Sequence, residues 1–272
     1  MTQPSELVVT DDSAHAAFLA ELTRIGWKTD SVWTTGYANY EWNRLRHLLD
    51  AHGVRLEGKH VFELGFNMGA SSVVLGKLGA RVSGVEIDAR MPPLARLNIA
   101  RHGLPEAELR LVAPGADLPF GDRTFDLVIC NSVLEYVDAQ PLLHLQRELA
   151  RILRPGGLLL VCGTANGIYP WDTHDEPPLA NWVPQALHRL IFGRNVKKGL
   201  MPWRLLSGPW SGWRNLDAAD GGAAYVRARE AFGLSWSRLT VMRLGSLLLR
   251  PLGLSVGLLA PSISIMLRRP DK

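Results

Sequence analysis

The sequence predicts an α/β protein whose core is a doubly wound, mostly parallel sheet with an antiparallel last strand. Between residues 58 and 163, short apolar runs alternate with segments whose apolar residues recur at helical spacing. Such alternation is typical of strand–helix–strand units in a parallel sheet. A glycine-containing turn from Gly65 to Gly69 follows the first run, and Glu86 lies at the end of the second. Both features favour a nucleotide-binding edge at the carboxyl ends of the strands.

The change of period along the chain gives the predicted elements. Helices are predicted over 14–26, 38–53, 70–78, 92–102, 140–153, 184–192 and 223–232. Strands are predicted over 60–64, 81–87, 109–112, 125–130, 157–162, 234–242 and 262–268. Residues 163–222, which are rich in Pro, Gly and Trp, predict a cap or insertion over the mouth of the sheet.

Composition and charge limit the class of protein. Of 272 residues, 47% are hydrophobic and 21% charged, which indicates a globular chain rather than a disordered one. Residues 188–272 carry a net charge of +10 and the preceding 187 residues carry −6. The basic third also contains four tryptophans: Trp203, Trp210, Trp213 and Trp236. It therefore suits an anionic substrate or a membrane surface, although solvated faces and core aromatics explain it as well.

The two cysteines and the N-terminus bear on the compartment. Cys130 and Cys162 each end an apolar run, so we expect buried thiols in a reducing environment and no structural zinc or other metal site. The N-terminus has no basic start followed by an apolar stretch, as a signal peptide would have. The apolar region 244–267 is interrupted by Arg250 and two prolines, which argues against a spanning helix. We expect a cytoplasmic protein, with peripheral membrane contact as an option.

The turn after the first strand reads ELGFNMG, residues 63–69. Glycines let the backbone approach a ligand closely, and the helix that follows presents N–H groups. Asn67 stands where a third glycine often occurs, and asparagine tolerates a left-handed backbone. The turn and Glu86 alone fit a dehydrogenase as well as other nucleotide-binding sheets, although a dinucleotide fingerprint would have glycine at 67.

Blocks downstream of the turn narrow the choice. They are DLPF (117–120), FDLV (125–128), NSVLEY (131–136) and RPGG (154–157). With the turn and the acidic strand end, they make residues 58–163 resemble the class I S-adenosylmethionine-dependent methyltransferases of the broad small-molecule type. The resemblance implies a Rossmann-like fold, S-adenosyl-L-methionine as cofactor and methyl transfer as the reaction.

The resemblance also implies roles for individual positions. The turn would surround the methionine part of the cofactor through Glu63, Gly65, Phe66, Asn67 and Gly69. The ribose would be held by Glu86, the adenine by Ile87, Ala116 and Asp117, and the sulfonium would lie above Asn131. Ser132 and Tyr136 would lie near the acceptor. The sequence departs from the family pattern at three places. Phe66 stands where a small residue is common, Pro114-Gly115 stands where an aspartate is frequent, and Tyr136 stands where histidine is common.

Candidate acceptor residues come from two further segments. An oxygen acceptor usually needs a base, and His174 follows the last core strand, where ligands of open α/β sheets bind. Tyr136 is the second catalytic candidate, and Trp171 of the same loop as His174 is a candidate for substrate binding. At the start of the second helix, Tyr37 and Tyr40 are expected to bind substrate, and the nearby Arg44 to meet the methionine carboxylate.

Four segments follow: an N-terminal helical cap (1–57), the S-adenosylmethionine-binding core (58–163), a substrate-binding cap or insertion (164–222), and a closing helix with the last two strands (223–272). We expect O-methylation of a small-molecule, glycan or lipid-linked acceptor. C-methylation of a natural-product or isoprenoid-type acceptor, and a non-catalytic cofactor-binding scaffold, remain alternatives. A nicotinamide oxidoreductase is disfavoured by the downstream blocks. Nucleic acid is not the expected partner, because the Asn/Asp-Pro-Pro-Tyr/Phe tetrapeptide is replaced by NSVL at 131–134.

Overall fold

The computed structural model describes residues 5–171 and 177–271. In them the helices are α1 (Asp12–Arg24), α2 (Tyr37–Ala51), α3 (Ala70–Lys77), α4 (Met91–Arg101), α5 (Ala139–Ile152), α6 (His188–Phe192), α7 (Ala223–Ala231), α8 (Trp236–Leu249) and α9 (Val256–Leu259). The strands are β1 (His60–Leu64), β2 (Arg81–Glu86), β3 (Glu108–Leu111), β4 (Phe125–Asn131), β5 (Leu153–Ala165), β6 (Arg214–Asn215) and β7 (Ser262–Arg268). Short 3-10 turns occupy 134–136, 185–187, 202–205, 208–210, 218–220 and 250–252.

The strands form a mixed sheet with the order β3-β2-β1-β4-β5-β7-β6 within the described residues. β1 pairs parallel with β2, and β2 pairs parallel with β3. β7 runs antiparallel to β5 and also to β6. The prediction of a doubly wound sheet with an antiparallel last strand is confirmed. The carboxyl ends of β1 and β2 are therefore neighbours, because parallel strands end at the same edge of a sheet.

The chain divides into two compact units. The first comprises residues 5–116, 125–127 and 227–236. Within it α1 packs on α4 and α2 packs on α3. Arg101 of α4 is 1% exposed and binds the first unit's N-terminal segments: its guanidinium donates to the Thr35 carbonyl at 3.0 Å and lies 4.1 Å from the Phe18 ring centroid. Buried Arg101 thus fixes residues 31–37, which line the cavity described below.

The second unit comprises residues 117–124, 128–171, 177–226 and 237–271. Its centre is the β5–β7 pair, whose register shifts between Val161 and Thr164. Trp210 is buried and donates from its indole nitrogen to the Gln146 carbonyl at 3.1 Å. This tryptophan of the basic third is therefore a packing residue, whereas Trp203 is 60% exposed.

One element differs from the sequence prediction. The strand expected over 234–242 is wrong, because Trp236–Leu249 forms α8. Leu234 and Trp236 alternate with serines as in a strand. Leu239 and Ser246, which are seven residues apart and therefore on the same side of a helix, are the buried residues of α8. The second closing strand is instead β6, which the sequence analysis missed because it has two residues.

Among the described residues, no helix is both long enough and apolar enough to cross a bilayer.

Candidate functional site

The carboxyl ends of β1 and β2 are joined by the Glu86 carboxylate. One of its oxygens accepts from the Asn67 N–H at 2.9 Å, and the other accepts from Ile87 N–H at 2.7 Å and Asp88 N–H at 3.1 Å. Three backbone donors therefore fix this side chain at the strand end. A carboxylate has about four lone-pair directions, so the group retains capacity to accept a hydroxyl.

The turn between β1 and α3 uses left-handed backbone at three positions. Gly65 has φ 67°, Asn67 has φ 47° and Gly69 has φ 77°. The Asn67 side chain accepts from the Met68 N–H at 2.7 Å, which supports its unusual backbone locally. A Cβ on Gly69 would lie 3.1 Å from Ala95, so the turn passes close to α4. Asn67 is itself exposed, at the rim where a ligand could contact it.

Phe66, the bulky departure from the family pattern, points into the fold. Its side chain is 1% exposed. A Cβ added to Gly84 of β2 would lie 3.2 Å from the Phe66 ring and 2.9 Å from the Glu63 carbonyl oxygen. The missing side chain at 84 therefore makes room for the phenyl ring. Phe66 supports the turn from below, and its role toward a cofactor stays a prediction.

The adenine candidates lie beyond β2 and β3. Ile87 follows Glu86 directly and is 60% exposed, although it is a large apolar residue at a strand end. Such a side chain is suited to pack against a flat ring. Ala116 is exposed in the loop after β3. In the second unit, the exposed Asp117 side chain lies 3.1 Å from His144 Nε2.

Glu63 lies beneath the turn and not at its surface. It is 2% exposed, and the Ser72 hydroxyl donates to its carboxyl at 2.5 Å. Burial is the main cause that raises the pKa of Glu63 to about 8, and the charge of the nearby Glu41 contributes to that rise. A neutral carboxyl at pH 7 serves better as an internal support for the turn than as a charged ligand for a cofactor.

A cavity of about 510 Å³ opens beside the turn in the first unit. Its lining comprises Gly26, Trp27, Lys28, Ser31, Trp33, Thr34, Tyr37, Asn67 and Met68. The volume is within the range of small-molecule sites. Two sequence candidates, Tyr37 and Asn67, are therefore brought to one cavity, together with the ammonium group of Lys28, which the sequence analysis did not select.

Aromatic rings form one wall of this cavity. The Trp33 ring lies 5.9 Å from Tyr37 and 5.2 Å from Tyr40, both edge-on, and the two tyrosines stack at 6.2 Å. Burial raises the pKa of Tyr37 well above its usual value of 10, with the Glu41 charge adding to the effect. Tyr40 also meets Phe232 at 6.0 Å and does not line the cavity.

Arg44, the expected partner of the methionine carboxylate, is engaged elsewhere. Its guanidinium donates to both Glu41 carboxylate oxygens, at 3.0 and 2.8 Å, and both side chains are largely buried. Lys28 is exposed and lines the cavity, which makes it the better candidate for a carboxylate of the cofactor.

The second unit contributes the end of β4. Ser132 has φ 53°, an uncommon backbone for a residue with a Cβ. Its hydroxyl donates to the Gly163 carbonyl at 3.2 Å, and a Cβ at Gly163 would lie 2.2 Å from that hydroxyl and 2.8 Å from Asn131 Oδ1. Asn131 is 9% exposed. Asn131, Ser132 and Gly163 thus form one tightly packed corner with a constrained backbone.

Tyr136 and Trp171 present exposed rings in the same unit. Tyr136 is 46% exposed, and Lys197 Nζ lies 4.6 Å from its ring centroid. Trp171 is 53% exposed and packs on Tyr169 at 5.2 Å. His174 lies outside the described residues. Lys197 belongs to the basic insertion, and its approach to Tyr136 gave no local sequence signal.

Three observations fit S-adenosylmethionine. The fixed carboxylate of Glu86 is followed by the exposed Ile87, as a ribose next to a flat base requires. The cavity beside the turn places the Lys28 ammonium where the amino-acid end of a cofactor could be held. Gly65 and Gly69 have no side chain and adopt left-handed conformations, which lets the backbone of this turn approach a ligand closely.

Comparison with known proteins agrees with this geometry. Residues 62–161 match the family described as "Methyltransferase domain". The chain is 30% identical over 233 residues to the ubiquinone biosynthesis O-methyltransferase of Stutzerimonas stutzeri, covering 84% of this chain and 89% of that protein. It is 35% identical over 127 residues to the demethylmenaquinone methyltransferase of Tropheryma whipplei, covering 43% of this chain and 50% of that protein.

A solved structure shares the fold. An S-adenosylmethionine-dependent methyltransferase from Mesorhizobium loti superposes with a TM-score of 0.50 at 21% identity, covering 84% of this chain and 97% of that one. The matches to four curated relatives, including the one from Tropheryma whipplei, span only 42–65% of the length of those relatives.

Proposed function

Because this chain belongs to the class I S-adenosylmethionine-dependent methyltransferases, we propose that it methylates an oxygen atom of a small-molecule, glycan or lipid-linked acceptor. The observation that carries the choice of oxygen is the similarity to a ubiquinone biosynthesis O-methyltransferase over 84% of the chain. That match extends well beyond the 100 residues of the family domain. It therefore includes the segments that differ most among enzymes of one fold.

The first unit holds the cofactor in this proposal. Glu86 would accept a hydrogen bond from a ribose hydroxyl, Ile87 would pack on the adenine, and Lys28 would pair with the carboxylate of the methionine part. Bound S-adenosylmethionine supplies a methyl group on a cationic sulfur. Support for these roles comes from the orientation of the Glu86 carboxylate, the exposure of Ile87 and the position of Lys28 at the cavity.

The Lys28 assignment has its own test. Lys28→Met should weaken binding of S-adenosylhomocysteine about tenfold or more, since one charge-assisted contact is lost. Binding of methylthioadenosine, which has no amino-acid carboxylate, should be unchanged. Lys59→Met is the matched control, because Lys59 does not line the cavity. Equal losses for both ligands would contradict the assignment.

The second unit serves the acceptor. Transfer breaks the sulfur–methyl bond, forms an oxygen–methyl bond and releases the acceptor proton, so a base must receive that proton. His174 is the proposed base. Tyr136 contacts the acceptor, and the Lys197 ammonium beside its ring favours an acceptor that carries negative charge. The strained backbone at Ser132 also favours a functional role for this corner.

Methylation of carbon remains the alternative reaction. Similarity to a demethylmenaquinone methyltransferase and to a ubiquinone biosynthesis enzyme supports a quinone-type acceptor for either reaction. An acceptor of this type combines an aromatic hydroxyl with an apolar tail.

One labelling experiment tests the proposal. The protein is incubated with ¹³C-methyl-labelled cofactor and a lipid extract or a polar extract of its host, and the labelled product is examined by NMR and mass spectrometry. We expect label on oxygen, and turnover that falls sharply in His174→Ala but not in His47→Ala. Label on carbon would replace the proposed reaction with the alternative. Full turnover in His174→Ala would refute the assignment of the base.

A further inference from the structure

Helix α8 has an exposed apolar face. Val241, Leu244, Leu247 and Leu248 are 57–73% exposed, and Leu252, in the turn that follows, is 68% exposed. These five residues, here called the outer face of α8, lie within one side of a helix with about 100° per residue. Four large apolar side chains at such exposure on one helix, with a fifth in the turn after it, are more than the scattered single residues normal for a protein surface.

The opposite side of α8 is already anchored. Leu239 and Ser246 are buried, and the Ser246 hydroxyl donates to the Asp220 carbonyl at 3.2 Å. A Cβ on Gly221 would lie 2.2 Å from the Ser246 carbonyl oxygen, so the helix packs closely on that turn. The fold therefore does not require the outer face to be buried, and its apolar character needs another explanation.

Arginines flank this face on both sides. Arg238 lies on one flank and Arg243 on the other, by the same helical geometry, and Arg250 begins the turn that follows the helix. Residues 231–270 contain five arginines and no aspartate or glutamate. A central apolar strip bordered by cations is the pattern of helices that lie in the plane of an anionic membrane surface.

We propose that the outer face of α8 docks on an anionic lipid bilayer, with the leucines in the acyl boundary and the arginines at the phosphates. A fourteen-residue helix is too short to span the hydrocarbon core, so it lies parallel to the surface. A second copy of the chain is the less suitable occupant. A two-fold interface through this face would bring the like-charged flanking arginines of both copies close together, which is unfavourable. The inference does not depend on the identity of the methyl acceptor.

Vesicle sedimentation with the full chain tests this proposal. Wild type should bind vesicles of phosphatidylcholine with phosphatidylglycerol much more tightly than vesicles of phosphatidylcholine alone, and salt should weaken that binding. The double variant L244N/L248N should reduce binding about tenfold or more, because two exposed leucines no longer enter the acyl boundary. R238E/R250E should reduce binding to the anionic vesicles to a similar extent.

Two control variants distinguish vesicle binding by the outer face of α8 from effects of surface apolar residues or net charge in general. V8N changes an apolar side chain that is 67% exposed and lies outside α8, and R55E/R81E makes the same change of net charge outside the basic third. Both should bind as wild type. Equal binding by L244N/L248N and wild type would overturn the proposal. So would sedimentation equilibrium showing a dimer that L244N/L248N dissociates. Methyl transfer to a water-soluble acceptor should be unaffected in L244N/L248N. A refutation of membrane docking is therefore distinguishable from a refutation of the proposed methyl transfer.

Discussion

Substitution of the buried Glu63 by glutamine should change how stability depends on pH. In the folded protein, burial raises the pKa of Glu63 from its usual 4.5 to about 8. Between these values the folded state retains a proton that the unfolded chain loses, so the free energy of unfolding falls as pH rises. A tenfold change in proton affinity corresponds to about 1.4 kcal/mol, and ionisation of Glu63 therefore destabilises the fold by about 3–5 kcal/mol. Glu63→Gln, which does not ionise, should remove this loss.

Urea unfolding of wild type and Glu63→Gln near pH 5 and near pH 9 measures this effect. The stability difference between the two proteins should shift by about 3–5 kcal/mol in favour of Glu63→Gln at the higher pH. Other titrating groups cancel in that comparison because both proteins contain them. Glu106→Gln, at an 83% exposed carboxylate, should behave as wild type. Parallel pH profiles for wild type and Glu63→Gln would refute the buried, neutral state of Glu63.

Two further substitutions test the supports of the cofactor site. Arg101→Met leaves the Thr35 carbonyl without its buried donor, so the free energy of unfolding measured in urea should fall by about 3 kcal/mol. The same variant should bind the cofactor more weakly. Unchanged cofactor affinity would show that Arg101 does not position the cavity wall. Gly84→Ala should lower stability by about 1–3 kcal/mol in thermal unfolding, because its Cβ would lie 2.9 Å from a β1 carbonyl. Measured in the Phe66→Ala background, Gly84→Ala should cost as much as in wild type if the carbonyl contact dominates, and clearly less if the ring contact does.

The core of the fold could be predicted because its signals are local. Buried strands of a parallel sheet are short apolar runs, and the helices between them show a period near 3.6, so the bounds from β1 to α5 agree with prediction within about two residues. The turn at 63–69 and the acidic end of β2 could be found for the same reason.

The cavity could not be predicted from such signals. Lys28 lines it because residues 26–34 fold beside Asn67, and Arg101, on a helix some seventy residues later, holds the adjacent Thr35 carbonyl. Arg44 was a reasonable guess for a carboxylate partner, but Glu41, one helical turn earlier, pairs with it. Charge pairing within a helix can be seen in the sequence at spacing three, and this signal could have corrected that guess.

The region after β5 shows where periodicity is ambiguous. The alternation of Leu234 and Trp236 with serines indicated a strand, whereas the chain forms α8. A helix whose exposed face carries large apolar residues lacks the usual contrast between an apolar buried face and a polar exposed face, and this contrast is what reveals a helical period. The error thus has the same origin as the membrane-docking surface proposed here.

Calorimetric titration of S-adenosylhomocysteine tests the cofactor site most directly. We expect one site per chain in wild type, affinity at least about tenfold weaker in Glu86→Ala and Glu86→Gln, and unchanged affinity in Glu106→Ala. Circular dichroism of Glu86→Gln, which retains one acceptor oxygen for the turn, checks that the loss is not unfolding. Wild-type affinity in both Glu86 variants, or binding of NAD in place of S-adenosylhomocysteine, would contradict the account.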